Sequence, residues 1–172
     1  RFILKIMNNS LFEPRNILFI RDYEFSDGSR TAENEGKLSI ILDVEKDYTW
    51  VIQVLTTSQQ KVPDEKVNHG CTNSKDGLFS FYCFEENRTV GTTPTQKPFA
   101  FHKTTFVLFQ SNTSQIPTEK YIQYMNDNKI SLKAILDKTE YKRLLKCLLS
   151  SRFLARKLKP HLQATFDNLN DN

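Results

Sequence analysis

Three histidines, a lysine heading an apolar run, a hydroxyl triplet and a basic C-terminal segment are the residues of this chain whose types could do chemistry. His69, His102 and His161 are the acid–base candidates, because an imidazole titrates near neutral pH. His102 is the best placed of them, beside Lys103 and just ahead of an apolar stretch. The plainer alternative for each is an exposed loop histidine. Lys37 precedes the run Leu38 to Val44, and Thr56-Thr57-Ser58 closes the run that begins at Trp50. A cation and hydroxyls of this kind can hold an anion. Their plainer roles are a solvated charge and β-branched strand residues. Arg30, in the loop before Lys37, offers a guanidinium.

Other chemistries find no residues to carry them. No glycine-rich phosphate loop, serine nucleophile elbow or HExxH pattern occurs. With five glycines in 172 residues, a phosphate-cradling loop would be hard to build. His69 and Cys71 lack the further ligands of a closed zinc site, so no metal or cofactor is assigned. Cys71, Cys83 and Cys147 form no CxxC pair, and an odd, widely spaced set reads as reduced, mostly buried thiols in a cytoplasmic protein. A secreted protein with one bridge is the minor alternative. Asn8, Asn87 and Asn112 each begin an N-x-Ser/Thr triplet, a pattern common by chance. The opening RFILKIM lacks the long apolar region of a secretion signal. Arg1 is no initiator, so a trimmed chain or added leading residues are expected, with Met7 a candidate start. No run of about 18 apolar residues is present, so no membrane span is expected.

Charge is concentrated at one end. From Lys138 onward there are eight Lys/Arg against three Asp/Glu, while the whole chain is only +4. Arg152, Arg156 and Lys157 are the candidates for tracking a nucleic-acid backbone. The alternatives are a solvated helix face or a docking surface for an acidic protein.

The elements that must position these residues fall into two halves. Residues 16–23, 37–45, 48–57, 78–84 and 104–109 read as strands, with Asp27-Gly28 and Asp76-Gly77 as turns. The three charged residues Glu45-Lys46-Asp47 join two apolar runs as a hairpin. Short strands with long polar loops suggest a small, highly bent antiparallel barrel. Beyond Pro117 the period becomes helical. A helix is expected over 119–125, a short turn over Leu132, Ile135 and Leu136, and a helix carrying the stripe Tyr141, Leu144, Leu145, Leu148 and Leu149. A last helix is expected through 153–158, which Pro160 either interrupts or follows with another over Leu162 and Phe166. The fold class expected is therefore β-rich α+β. A barrel occupies residues 1–112, and a helical C-terminal extension, 113–172, packs on it.

The order of parts in residues 16–60 resembles the PemK/MazF-like family of plasmid-maintenance toxins, and residues 78–110 follow it loosely. The family pattern is a strand, a mobile loop, then a strand beginning Lys-x-Arg-Pro before an apolar run. Here Gly36-Lys37-Leu38-Ser39-Ile40 stands in that place, with Lys37 for the arginine and Leu38 for the proline. Thr56-Thr57-Ser58 stands where the family has a Thr/Ser pair. The resemblance implies an SH3-like barrel, typically a homodimer, acting in a toxin–antitoxin pair as a metal-independent endoribonuclease on single-stranded RNA. On this reading the catalytic set is Lys37 and Thr57, to which the residues themselves add His102 for proton transfer; Arg30, Thr56 and Ser58 bind substrate, and an acidic antitoxin is the expected partner. Lys37 keeps the family's charge but not its planar fork. That departure makes a non-catalytic SH3-like module, binding nucleic acid or protein, the runner-up. A structural subunit that docks through its helical tail is a third reading.

Overall fold

The computed structural model describes residues 10–170. Met7 and Asn8 lie outside the described residues. Among the described residues ten strands and four α-helices build a β-rich α+β fold. In chain order the strands are β1 (Asn16–Arg21), β2 (Gly36–Val44), β3 (Trp50–Leu55), β4 (Gly70–Asn73), β5 (Ser80–Phe84), β6 (Thr89–Thr92), β7 (Pro98–Ala100), β8 (Thr105–Leu108), β9 (Thr113–Pro117) and β10 (Ile130–Leu136). The helices are α1 (Phe109–Asn112), α2 (Thr118–Asn126), α3 (Lys138–Leu149) and α4 (Lys159–Asn168).

The strands form two antiparallel sheets. One has seven strands in the order β7-β6-β10-β1-β2-β3-β9, and the other has three in the order β4-β5-β8. Neither closes into a barrel among the described residues. The sheets meet at a single bridge, where Thr57 and Phe106 exchange both backbone hydrogen bonds at 2.9 and 2.8 Å. The expected helical extension is only partly helical. β9 adds to β3, and β10 inserts between β1 and β6, so the segment after residue 112 completes the large sheet. Leu132, Ile135 and Leu136 therefore lie on a strand, not a helical turn. Pairing with β1 decided this, because a short apolar run fits either period.

β2 shows why its sequence is apolar almost without break. Ile40 and Leu42 face one layer, with Tyr82, Phe84, Val107 and the α3 stripe Tyr141, Leu144, Leu145 and Leu148. Ile41 faces the other, with Leu18, Ile20, Val51 and the α2 ring of Tyr121. A strand covered on both faces has no polar alternation. A third, smaller cluster of Val62, Phe81, Cys83, Phe106 and Leu108 lies on the outer face of the small sheet. At the chain's end Pro160 opens α4, where its missing N–H costs nothing, and residues 152–157 are turns instead of a helix.

The thiol expectation is corrected. Cys71 on β4 and Cys147 on α3 are joined in a disulfide, and only Cys83 is free. Spacing gave no hint, because the partners are 76 residues apart. On the chain-entropy account a bridge over a loop of that length contributes about 4–5 kcal/mol. No helix among the described residues is long and apolar enough to cross a membrane.

Candidate phosphate-binding cleft

The start of β2 and the end of β3 lie side by side, because Ser39 pairs with Leu55 in the antiparallel register. Thr56 continues that pairing beyond the strand. Its N–H and its hydroxyl both donate to the Leu38 carbonyl, at 3.0 and 3.1 Å. Thr57 then turns to the small sheet through Phe106. The gap between the two sheets is a cleft of about 240 Å3, lined by Gly36, Lys37, Leu38, Thr56, Thr57, Ser58, Gln59 and Thr105. Sequence distance is thus erased at the points where the chemistry was expected: Lys37 and the hydroxyl triplet face one space.

Each wall has a local cause. Gly36 is required by close approach, since a Cβ there would lie 2.3 Å from the Ile20 carbonyl oxygen. The Thr57 hydroxyl accepts from the Gln59 N–H at 3.2 Å, which leaves its own hydrogen to donate. Lys37 is half-buried and lies 5.9 Å from the centroid of the Phe25 ring, within cation–π range. Burial first, then the nearby Lys61 charge, holds its ammonium below the ordinary lysine range. A cation so placed gains from any anion that enters.

The other expected site residues lie elsewhere. His102 sits in an exposed bend between β7 and β8 and does not line the cleft, so it is not brought to Thr57. Arg30 is held on the far side of its loop, with its guanidinium 2.7 Å from Glu24. It lines a separate cleft of about 380 Å3 together with Asp22, Lys120 and Tyr124. Arg152, Arg156 and Lys157 are all exposed; Arg152 also packs over the Phe153 ring at 5.1 Å and fills the space beside Gly77. His161 lies on the exposed side of α4.

The sequence reading missed Gln59, Thr105 and Lys61. Gln59 and Lys61 could have been found, as polar residues directly after the triplet. Thr105 had no signal, because only the Thr57–Phe106 bridge brings β8 alongside. Also missed was a buried polar group. Tyr82 donates to Glu140 Oε1 at 2.7 Å, and His69 Nε2 lies 2.7 Å from the same oxygen. His69 Nδ1 accepts from the Glu85 N–H at 3.2 Å, which assigns the ring hydrogen to Nε2, although that N–H is not aimed squarely at the carboxylate. Among the described residues no three His, Cys, Asp or Glu side chains gather as a metal site. Comparison with family models, curated proteins and solved structures returns no match for this chain.

Proposed function

We propose that the chain is a PemK/MazF-like toxin that holds a phosphate of single-stranded RNA in the Lys37–Thr57 cleft and cleaves the strand without a metal. The reading rests on one juxtaposition, that of Lys37 with Thr57 and Ser58 around a single open space. In such a reaction the ribose 2′-OH attacks the adjacent phosphorus. The developing negative charge needs a cation, which Lys37 supplies, with Lys61 nearby. The Thr57 hydroxyl would donate to a phosphate oxygen and fix its orientation. No side chain lining the cleft is assigned the proton transfers, since His102 stands outside it; the 2′-OH proton leaves to solvent water, which also protonates the departing 5′-oxygen. An SH3-like arrangement, a second copy of the chain and an acidic antitoxin segment belong to this proposal.

One observation favours the runner-up. Among the described residues no imidazole or carboxylate lines the cleft, so these supply charge and hydroxyls but no ordinary general base. A binding module would need nothing more. Incubation with a long single-stranded RNA in EDTA separates the two. Fragments ending in 2′,3′-cyclic phosphate are expected. Binding without cleavage across varied RNA sequences would leave the module, and cleavage that requires added divalent metal would reject the mechanism.

The basic tail gives a separate expectation. Arg156, Lys157 and Lys159 are exposed in the turn leading into α4 and at its start. Their joint replacement by Gln is expected to flatten the fall of log K with log salt by about two units for single strands, if each neutralises a phosphate. Arg152→Gln is expected to flatten the slope less than the loss of a freely exposed cation, because that guanidinium is stacked on Phe153. Salt titrations of oligonucleotide binding test both. Equal slopes in all variants would make the tail a solvated face.

A further inference from the structure

The disulfide is presented to solvent on one side only. Cys71 is exposed on β4, an edge strand of the small sheet, while Cys147 is buried on α3. The bridge lies in an open cleft of about 270 Å3 whose other walls include Gly70, Tyr82, Arg143, Lys146 and Ser150. Arg143 and Lys146 are both exposed there. An approaching thiolate meets two cations, and the sulfur it can reach is that of Cys71.

The opened state also has a ready structure. Cys147 Sγ lies 3.5 Å from the Phe81 carbonyl oxygen, so its thiol would have an acceptor. Asn73 Nδ2 donates to the Cys147 carbonyl at 3.0 Å and lies 3.9 Å from its sulfur. The Tyr82–Glu140 and Ser80–Ser151 contacts still tie α3 and the segment after it to β5 when the bridge is open. Cys83, by contrast, is buried in the outer cluster, and burial pushes its thiol up to about 11. It remains protonated and apart from exchange.

We propose that Cys71–Cys147 is a thiol-exchange site for an external dithiol, with Cys71 as the attacked sulfur and Cys147 as the leaving group. One thiolate of the dithiol bonds to Cys71 Sγ, the Cys71–Cys147 bond breaks, and its electron pair leaves on Cys147 Sγ, which takes a proton. The second thiolate of the dithiol then attacks the dithiol's own sulfur in the mixed disulfide and releases Cys71. The chain gains two electrons and two protons, and the dithiol becomes its disulfide. Bridges of this exposed kind are the labile ones, whereas sequestered bridges are structural. The proposal does not depend on the phosphate cleft.

The native chain, held in graded dithiothreitol without denaturant, tests it. Samples quenched in acid and alkylated after denaturation report the open bridge by mass. A parallel pulse of N-ethylmaleimide on the native protein reports whether Cys83 has been exposed by unfolding. The expected result is an opened bridge with Cys83 unlabelled and the circular dichroism unchanged. Arg143→Ala with Lys146→Ala, both surface changes, is expected to slow opening at least about threefold by removing the attraction for thiolate. Opening only together with Cys83 labelling, or a rate indifferent to the two cations, would overturn the proposal and leave a structural staple.

Discussion

Replacing Lys37 by alanine is expected to weaken binding of a single-stranded oligonucleotide about 10- to 100-fold, the range for loss of a charged hydrogen-bonding partner. Any cleavage is expected to fall about 100- to 1,000-fold, because the charge that forms on the phosphorane loses its closest cation. Folding should survive, since the change removes a half-buried charge and not a packed core group. The pH dependence follows from the lowered pKa. Lys37 is charged below its folded pKa, so affinity is full there and falls as pH rises through it, starting below the ordinary lysine value of 10.5. Stability moves in the opposite sense. Between the lowered pKa and 10.5 the unfolded chain binds more protons, so this group's contribution to stability rises with pH. Lys37→Arg is expected to keep binding at neutral pH and to shift the alkaline loss beyond the measurable range, because a guanidinium stays charged. Anisotropy titrations across pH check the two affinity statements, and urea unfolding across pH checks the stability one. An unchanged affinity in the alanine variant would remove the cleft from the reading.

Gln53→Leu is expected to destabilise the chain by about 2–4 kcal/mol, which would be read as a lower midpoint in urea. Gln53 is fully buried on β3 and joins two strands, a loop residue and a helix. Its carbonyl oxygen accepts from the Ser39 hydroxyl at 2.6 Å and from Tyr121. Its amide nitrogen donates to the Tyr23 hydroxyl at 2.9 Å and to Ser114 Oγ at 3.3 Å. Leucine has a similar volume, so little cavity term enters. The loss comes from hydroxyls left buried with their main partner gone. Burial already pushes the Tyr23 and Tyr121 phenols up, which shows how dry the site is. A change below about 1 kcal/mol would mean that the hydroxyls find one another, as the 3.5 Å approach of Ser39 to Tyr121 would allow.

Gln53 also marks the limit of sequence reading. A glutamine in the run Trp50 to Leu55 looks like the polar side of a strand. Only the placement of α2 over β3 turns that side into an interior, and the glutamine then becomes the hub of a buried network.

The sequence determined the strands built on apolar runs: β1, β3, β5 and β8 lie within the expected runs, and β2 begins one residue before its own. It determined α3 as well, whose apolar stripe at three- and four-residue spacing has one solution; for Pro160 it left open an interruption or a helix start, and the structure has the start. Local pattern suffices where one period fits and one face is apolar. It also singled out Lys37 and the hydroxyl triplet, because strand ends advertise their polar residues. Tertiary structure decided the rest. β4, β6, β7 and β9 are short and lack a strong pattern, so they are strands only because neighbours supply hydrogen-bonding partners. β10 exists because β1 lies beside it. The Cys71–Cys147 bridge, the Thr105 wall of the cleft and the exclusion of His102 and Arg30 all depend on pairings between distant segments. Sequence periodicity records what one segment does with its own faces; it carries no term for which other segment will cover them.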